Sequence, residues 1–154
     1  MPQFRVLLTD RPWSDWAIEQ TILDEIDAEI VDAPDAQEST LVALAGDCDA
    51  IGTCWGKVTP KVIEACPRCL GIARFGIGLD NIAVETATQL GIPVTNVPDY
   101  CVQEVADHTL ALLLAAARNI AFFHLRTKRG EYDLQAGPAM SRLSESVLGL
   151  VGVG

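Results

Sequence analysis

With 154 residues, the chain has room for one domain with its own core, or for a small domain and part of another. Its 49% hydrophobic and 21% charged residues are ordinary for a soluble globular protein and exclude disorder as a reading of the whole. A formal net charge of −10 repels nucleic acid and anionic membrane surfaces, and no basic stripe offsets it.

The apolar run Val6 to Leu8 is too short for a signal peptide, and Thr109 to Ala117 falls well below the roughly 20 residues of a membrane span. A cytoplasmic protein is therefore expected. The five cysteines, Cys48, Cys54, Cys66, Cys69 and Cys101, are expected as free thiols. Cys66 and Cys69 form a CxxC, but no second CxxC or HxxxH completes a zinc set, so a structural role outweighs metal or redox chemistry.

In chain order, Phe4 to Leu8 reads as a buried strand. Ser14 is placed to cap a helix in which Ile18, Ile22, Leu23 and Ile26 recur at helical spacing. Glu29 to Val31 is a second strand, Ser39 to Ala45 a short helix ending at Gly46, and Ala50 to Gly52 a third strand followed by a loop with Trp55. Thr59-Pro60 opens a helix that ends before Pro67. Leu70 to Phe75 is a fourth strand leading into Gly76-Ile77-Gly78. Ile82 to Leu90 is a helix stopped by Gly91, and Pro93 to Thr95 is a fifth strand.

This alternation predicts a parallel α/β sheet covered on both faces, with ligands beyond the carboxyl ends of its strands. Trp55, Gly76 to Gly78 and Tyr100 all follow strands and so fall on that edge. Val102 to Arg118 reads as a long helix, apolar on nearly all sides and hence buried over most of its surface. After Arg118 the sequence turns polar and irregular, as an arm or linker would. Val147 to Val151 reads as a new strand running into Gly152-Val153-Gly154, the first half of a G-x-G-x-x-G dinucleotide motif. A strand with no helix after it leaves apolar surface uncovered, so a truncated domain is expected there.

The stretch Arg74-Phe75-Gly76-Ile77-Gly78-Leu79-Asp80-Asn81, then Gly91-Ile92-Pro93-Val94, Asn96-Val97-Pro98, Val105 to Thr109 and the closing VLGLVGVG, resembles the D-isomer-specific 2-hydroxyacid dehydrogenase family. The similarity is to the branch of phosphoglycerate dehydrogenase-like enzymes and C-terminal-binding protein co-repressors. It is weak before Ala50 and strong after Gly71.

The resemblance implies a flavodoxin-like substrate domain over residues 1–100. The start of a Rossmann NAD-binding domain follows over 101–154, cut within its glycine motif. A dimerisation arm over 119–146 would make the whole protein a homodimer. It implies hydride transfer between a nicotinamide cofactor and a small D-2-hydroxy acid or 2-keto acid. The cofactor is NAD or NADP, since the residue that discriminates them would lie beyond Gly154. In the family an Arg, a Glu and a His downstream of the glycine motif catalyse. None of those positions exists here, so no catalytic residue is assigned and the chain alone is expected to be inactive. The alternative is a protein-binding module like the co-repressors. Neither metal, nucleic acid nor membrane is an expected partner.

Substrate contacts fall on Trp55, Arg74, Gly76, Ile77, Gly78 and Tyr100. A Gly-x-Gly loop can be a plain tight turn, or can expose N–H groups to a carboxylate, the role the resemblance implies. Arg74 can pair with a carboxylate bidentately, the alternative being a surface ion pair. Trp55 would bias the pocket toward apolar or aromatic side chains. Lys57 reads as solvated. Ile77, where some relatives have Lys, disfavours phosphite oxidation. Cofactor contacts are Ile77, Thr109, Gly152 and Gly154. His108 lies four residues after Glu104, so an acid/base dyad is conceivable, but a polar turn of a packed helix is the simpler reading. His124 reads as an arm residue.

Overall fold

The structure, a computed structural model, describes residues 2–152. Short runs of branched and apolar residues form five strands, β1 Phe4–Leu8, β2 Ala28–Asp32, β3 Ala50–Thr53, β4 Ile72–Arg74 and β5 Val94–Thr95. Between them lie four helices, α1 Ala17–Leu23, α2 Glu38–Ala45, α3 Pro60–Glu64 and α4 Val84–Gln89. A 3-10 turn, Asp24–Ile26, extends α1. The strands pair in parallel in the order β2-β1-β3-β4-β5, the flavodoxin-like order, whose switch point lies between β1 and β3. Gly91 stops α4 with a φ of 70°, a left-handed conformation that glycine adopts without steric cost.

Register decides which side chains share a face. Leu7, Ile51, Ile72 and Val94 stand side by side across β1, β3, β4 and β5. They bury against Leu41 and Ala45 of α2, Val62 and Ile63 of α3 and Ala87 of α4. Each large side chain so buried contributes about 1.5–3 kcal/mol.

The opposite face departs from the expected double cover. Phe4, Val6, Leu8, Ile22, Leu23, Ile26 and Phe75 line an open groove of about 550 Å³ on it. Within residues 1–100, α1 lies on that side, against β2, and it spans seven residues. Of the apolar positions that recur at helical spacing, Ile18, Ile22 and Ile26 are solvent-exposed. Its cap also differs from expectation. The Asp15 carboxylate, not Ser14, accepts the Ala17 N–H at 3.0 Å.

Residues Met1–Tyr100 form one compact unit and Cys101–Gly154 another. The second unit holds α5 Val102–Ala117 and α6 Ile120–Lys128, separated by Asn119 in the left-handed region. Three expectations fail here. The stretch after Arg118 is not irregular but helical through Lys128, since Ile120, Phe122, Phe123 and Leu125 outweigh its polar residues. None of α5 is buried, because the unit has no sheet to receive its apolar sides. Residues 147–151 form no strand, there being no partner strand in the unit. Val147 and Val151 are fully exposed. No single helix among the described residues is long and apolar enough to cross a membrane.

Candidate functional site

Four loops leave the carboxyl ends of β1, β3, β4 and β5 and meet around a pocket of about 430 Å³. It is lined by Pro12 and Trp13 after β1, Cys54 and Trp55 after β3, Arg74 to Gly78 at the end of β4, and Tyr100 beyond β5. All six substrate-contact candidates, Trp55, Arg74, Gly76, Ile77, Gly78 and Tyr100, are brought together there. Trp13, Phe75 and Cys54, which sequence reasoning did not single out, join them.

Asp10 holds the β3 loop in place. Its Oδ1 accepts the N–H groups of Cys54 and Gly56, each at 2.9 Å, and its Oδ2 that of Trp55 at 2.7 Å. The Thr9 hydroxyl lies 2.7 Å from both Asp10 Oδ1 and Thr53 Oγ1. Burial pushes the Asp10 carboxyl upward, but the Trp55, Gly56 and Cys54 amides and the Thr9 hydroxyl outweigh it, and the group is held below the ordinary carboxylate value. The loop approaches so closely that a Cβ on Gly56 would stand 2.5 Å from Thr9 Oγ1. Asp10 was legible only as an acid just after a strand of a parallel sheet; nothing in the spacing told of the three amides it gathers.

Arg74 is the only cation among the pocket-lining residues. Its Nε donates to Asn81 Oδ1 at 3.0 Å, and Asn81 Nδ2 donates to the Gly56 carbonyl at 2.9 Å. The guanidinium makes no salt bridge among the described residues, and its buried Nη1 has no hydrogen-bond partner. A buried donor without a salt bridge is not the surface-ion-pair alternative. Gly76 lies against it, where a Cβ would come within 2.7 Å of Nη1. Among the described residues no backbone hydrogen bond engages the N–H groups of Gly76, Ile77 or Gly78, while the Gly76 carbonyl accepts from the Val97 N–H at 3.0 Å. Ile77 is held instead through its carbonyl, which accepts from Asn96 Nδ2 at 2.8 Å. The Cys54 thiol, pushed up by burial and then by Asp10, stays protonated and neutral.

The cofactor candidates are scattered. Ile77 is at the pocket. Thr109 lies on α5, exposed, its hydroxyl donating to the Val105 carbonyl at 2.7 Å. Gly152 has a φ of 78° and open space where a Cβ would stand, a backbone suited to close approach by a ligand. Gly154 lies outside the described residues. Glu104, His108 and His124 are exposed, and no hydrogen bond or ion pair joins Glu104 to His108. Cys66 and Cys69 sit in the turn between α3 and β4, closed by the Cys69 N–H to the Cys66 carbonyl at 3.0 Å.

Comparison with known proteins agrees with this architecture. The chain is 39% identical over 151 residues to D-3-phosphoglycerate dehydrogenase of Methanocaldococcus jannaschii, covering 97% of this chain and 28% of that one. It is 42% identical over 98 residues to hydroxypyruvate reductase of Thermotoga maritima, covering 64% of this chain and 32% of the relative. It thus spans about a third or less of these relatives' length. Among solved structures, NAD-dependent formate dehydrogenase from Staphylococcus aureus superposes with a TM-score of 0.71 at 25% identity, over 84% of this chain and 43% of that one. Residues 6–148 match the model of the D-isomer specific 2-hydroxyacid dehydrogenase catalytic domain, and the chain belongs to that family.

Proposed function

We propose that residues 1–100 are the substrate domain of a nicotinamide-dependent D-2-hydroxyacid dehydrogenase, and that residues 101–154 begin its cofactor domain. The observation that supports this most is the pocket around Arg74. A guanidinium with an unpartnered Nη1, a Gly-x-Gly loop whose N–H groups make no backbone hydrogen bond among the described residues and an aromatic rim converge at the carboxyl edge of a parallel sheet. Such a site fits a small acid whose carboxylate takes two N–H donors from Arg74 and further ones from the 76–78 loop.

The nicotinamide, when bound, supplies or accepts the hydride. The chain's own part is orientation. Arg74 and the glycine loop would hold the carboxylate, and Ile77 at the pocket would offer the nicotinamide an apolar contact. The proton for the substrate oxygen comes from a residue outside this chain, since His108 and His124 are exposed on α5 and α6. The 154 residues alone are therefore inactive, and the complete protein is a cytoplasmic homodimer that pairs through 119–146.

The test is reduction of glyoxylate or hydroxypyruvate by the complete protein with NADH or NADPH. Turnover, with a D-configured product from hydroxypyruvate, is expected, and none from the 154-residue chain. Arg74-dependent turnover by that chain alone would contradict the assignment of the proton donor.

A further inference from the structure

The pocket bears one positive charge and a wall of rings. Trp13 packs edge-on against Trp16 with centroids 5.3 Å apart at 85°, and against Phe75 at 5.9 Å and 82°. Trp16 in turn meets Phe75 at 5.9 Å. These three rings from the β1 loop, the start of α1 and the end of β4 fix one another, so Trp13 presents a preorganised ring surface rather than a mobile one; its buried indole N–H has no hydrogen-bond partner among the described residues. Trp55, Ile77 and Pro12 extend that surface around the opening.

The neighbouring cation is not available to the pocket. Arg11 Nη2 pairs with Asp32 at 3.0 Å, its Nη1 donates to the carbonyls of Trp13 and Ser14, and its guanidinium lies over the Trp16 ring. It braces the aromatic wall from behind. Two anions lie close by: Asp10 beneath the Cys54–Gly56 loop, and Asp80, whose Oδ1 is 2.8 Å from where a Cβ on Gly78 would stand. A substrate carboxylate therefore consumes the pocket's single cation. A second dianionic group such as a phosphate would meet apolar rings and the Asp10 field, with its charge uncompensated.

Resting on the proposed reading of this pocket as a 2-oxo acid site, we infer that Trp13 is a specificity-determining residue. With Trp55 it selects 2-oxo acids bearing an unphosphorylated, apolar side chain and rejects phosphorylated ones. Burying an apolar side chain against the rings is favourable, and placing a second anion there is costly. Both effects favour the same ligand, and together they give a preference of roughly tenfold or more.

Isothermal titration of the 154-residue chain with 4-methyl-2-oxopentanoate and with 3-phosphohydroxypyruvate tests this. The branched apolar acid should bind at least about tenfold more tightly. Trp13→Ala should narrow that ratio without abolishing binding of the phosphorylated acid. Because Trp13→Ala also opens the ring cluster, Trp55→Ala, at a residue 66% exposed, serves as the second variant and should narrow the ratio too. Equal or tighter binding of the phosphorylated acid, still lost in Arg74→Ala, would overturn the specificity assignment while leaving the 2-oxo acid site intact. Binding of neither acid, or binding indifferent to Arg74→Ala, would overturn the site and the specificity together.

Discussion

Asn81 orients Arg74. It takes the Nε–H of the guanidinium at 3.0 Å and gives its own N–H to the Gly56 carbonyl at 2.9 Å. Gly56 is in turn gripped by Asp10. One hydrogen-bonded path thus runs from the end of β1 through the β3 loop to the cation at the end of β4, and leaves its Nη1 without a hydrogen-bond partner among the described residues. Asn81→Ala should raise the KM for a 2-oxo acid in the complete protein several-fold and spare NADH affinity. Asn81→Asp, which keeps the acceptor for Arg74 but leaves two anions facing one cation, should weaken the acid as well. Steady-state kinetics with direct NADH titration separates these effects.

Asp10→Asn should destabilise the unit by roughly 2–3 kcal/mol, since charge-assisted bonds to three amides are weakened and the new N–H cannot accept. For a unit of this size that is a fall in Tm of about 10–20 °C. The sign with pH follows from the lowered carboxyl. Its contribution is fully present above the unfolded Asp value of about 3.9 and disappears as pH falls through the still lower folded value. Thermal melts from pH 7 down to acid should show the two proteins converging below about pH 4. A constant gap would mean that the carboxylate charge contributes nothing.

Two glycines should respond differently to the same added methyl group. At Gly52 a Cβ would stand 2.4 Å from Leu8 Cδ2 and 2.9 Å from the Phe75 ring, so Gly52→Ala should cost about 1–3 kcal/mol of stability. At Gly76 it meets the guanidinium end of the long Arg74 side chain at 2.7 Å. Gly76→Ala should leave the melt nearly unchanged but displace the guanidinium and weaken 2-oxo acid binding about tenfold. Denaturant melts and titration of both variants check the pair.

Cys69 should be the thiol alkylated ahead of Cys48, Cys54 and Cys66. Hydrogen bonding from Cys66 overrides its burial and brings its pKa down to about 7. Cys66 is driven upward by that same bond, and Cys48 and Cys54 by burial. Those three are also buried, whereas Cys69 is partly exposed. Iodoacetamide at neutral pH followed by peptide mass analysis should find Cys69 modified ahead of them; preferential labelling of Cys66 would reverse the assignment within the pair.

The five-strand core was legible because each strand is a short run of branched residues closed by Gly, Pro or Asp, and each helix between them has a local stop such as Gly91. Those signals are local, and they placed Trp55, Arg74, Gly76 to Gly78 and Tyr100 on one edge of the sheet. What the sequence did not disclose is long-range. Asp10 meets amides 44–46 residues away, and Trp13 meets a ring at Phe75. Periodicity placed the α1 helix but not its surroundings: Ile22 and Ile26 line an open groove and Ile18 is exposed. At 147–151 an apolar run alone was not enough, because a strand exists only with a partner.

The most direct test of the whole account is the kinetic split caused by Arg74→Ala in the complete protein. If, as proposed, the guanidinium addresses the substrate carboxylate and not the nucleotide, KM for a 2-oxo acid should rise roughly 10- to 100-fold while the NADH dissociation constant stays within about twofold. Equal losses for both ligands, or an unchanged KM, would contradict the placement of Arg74 at the centre of the site.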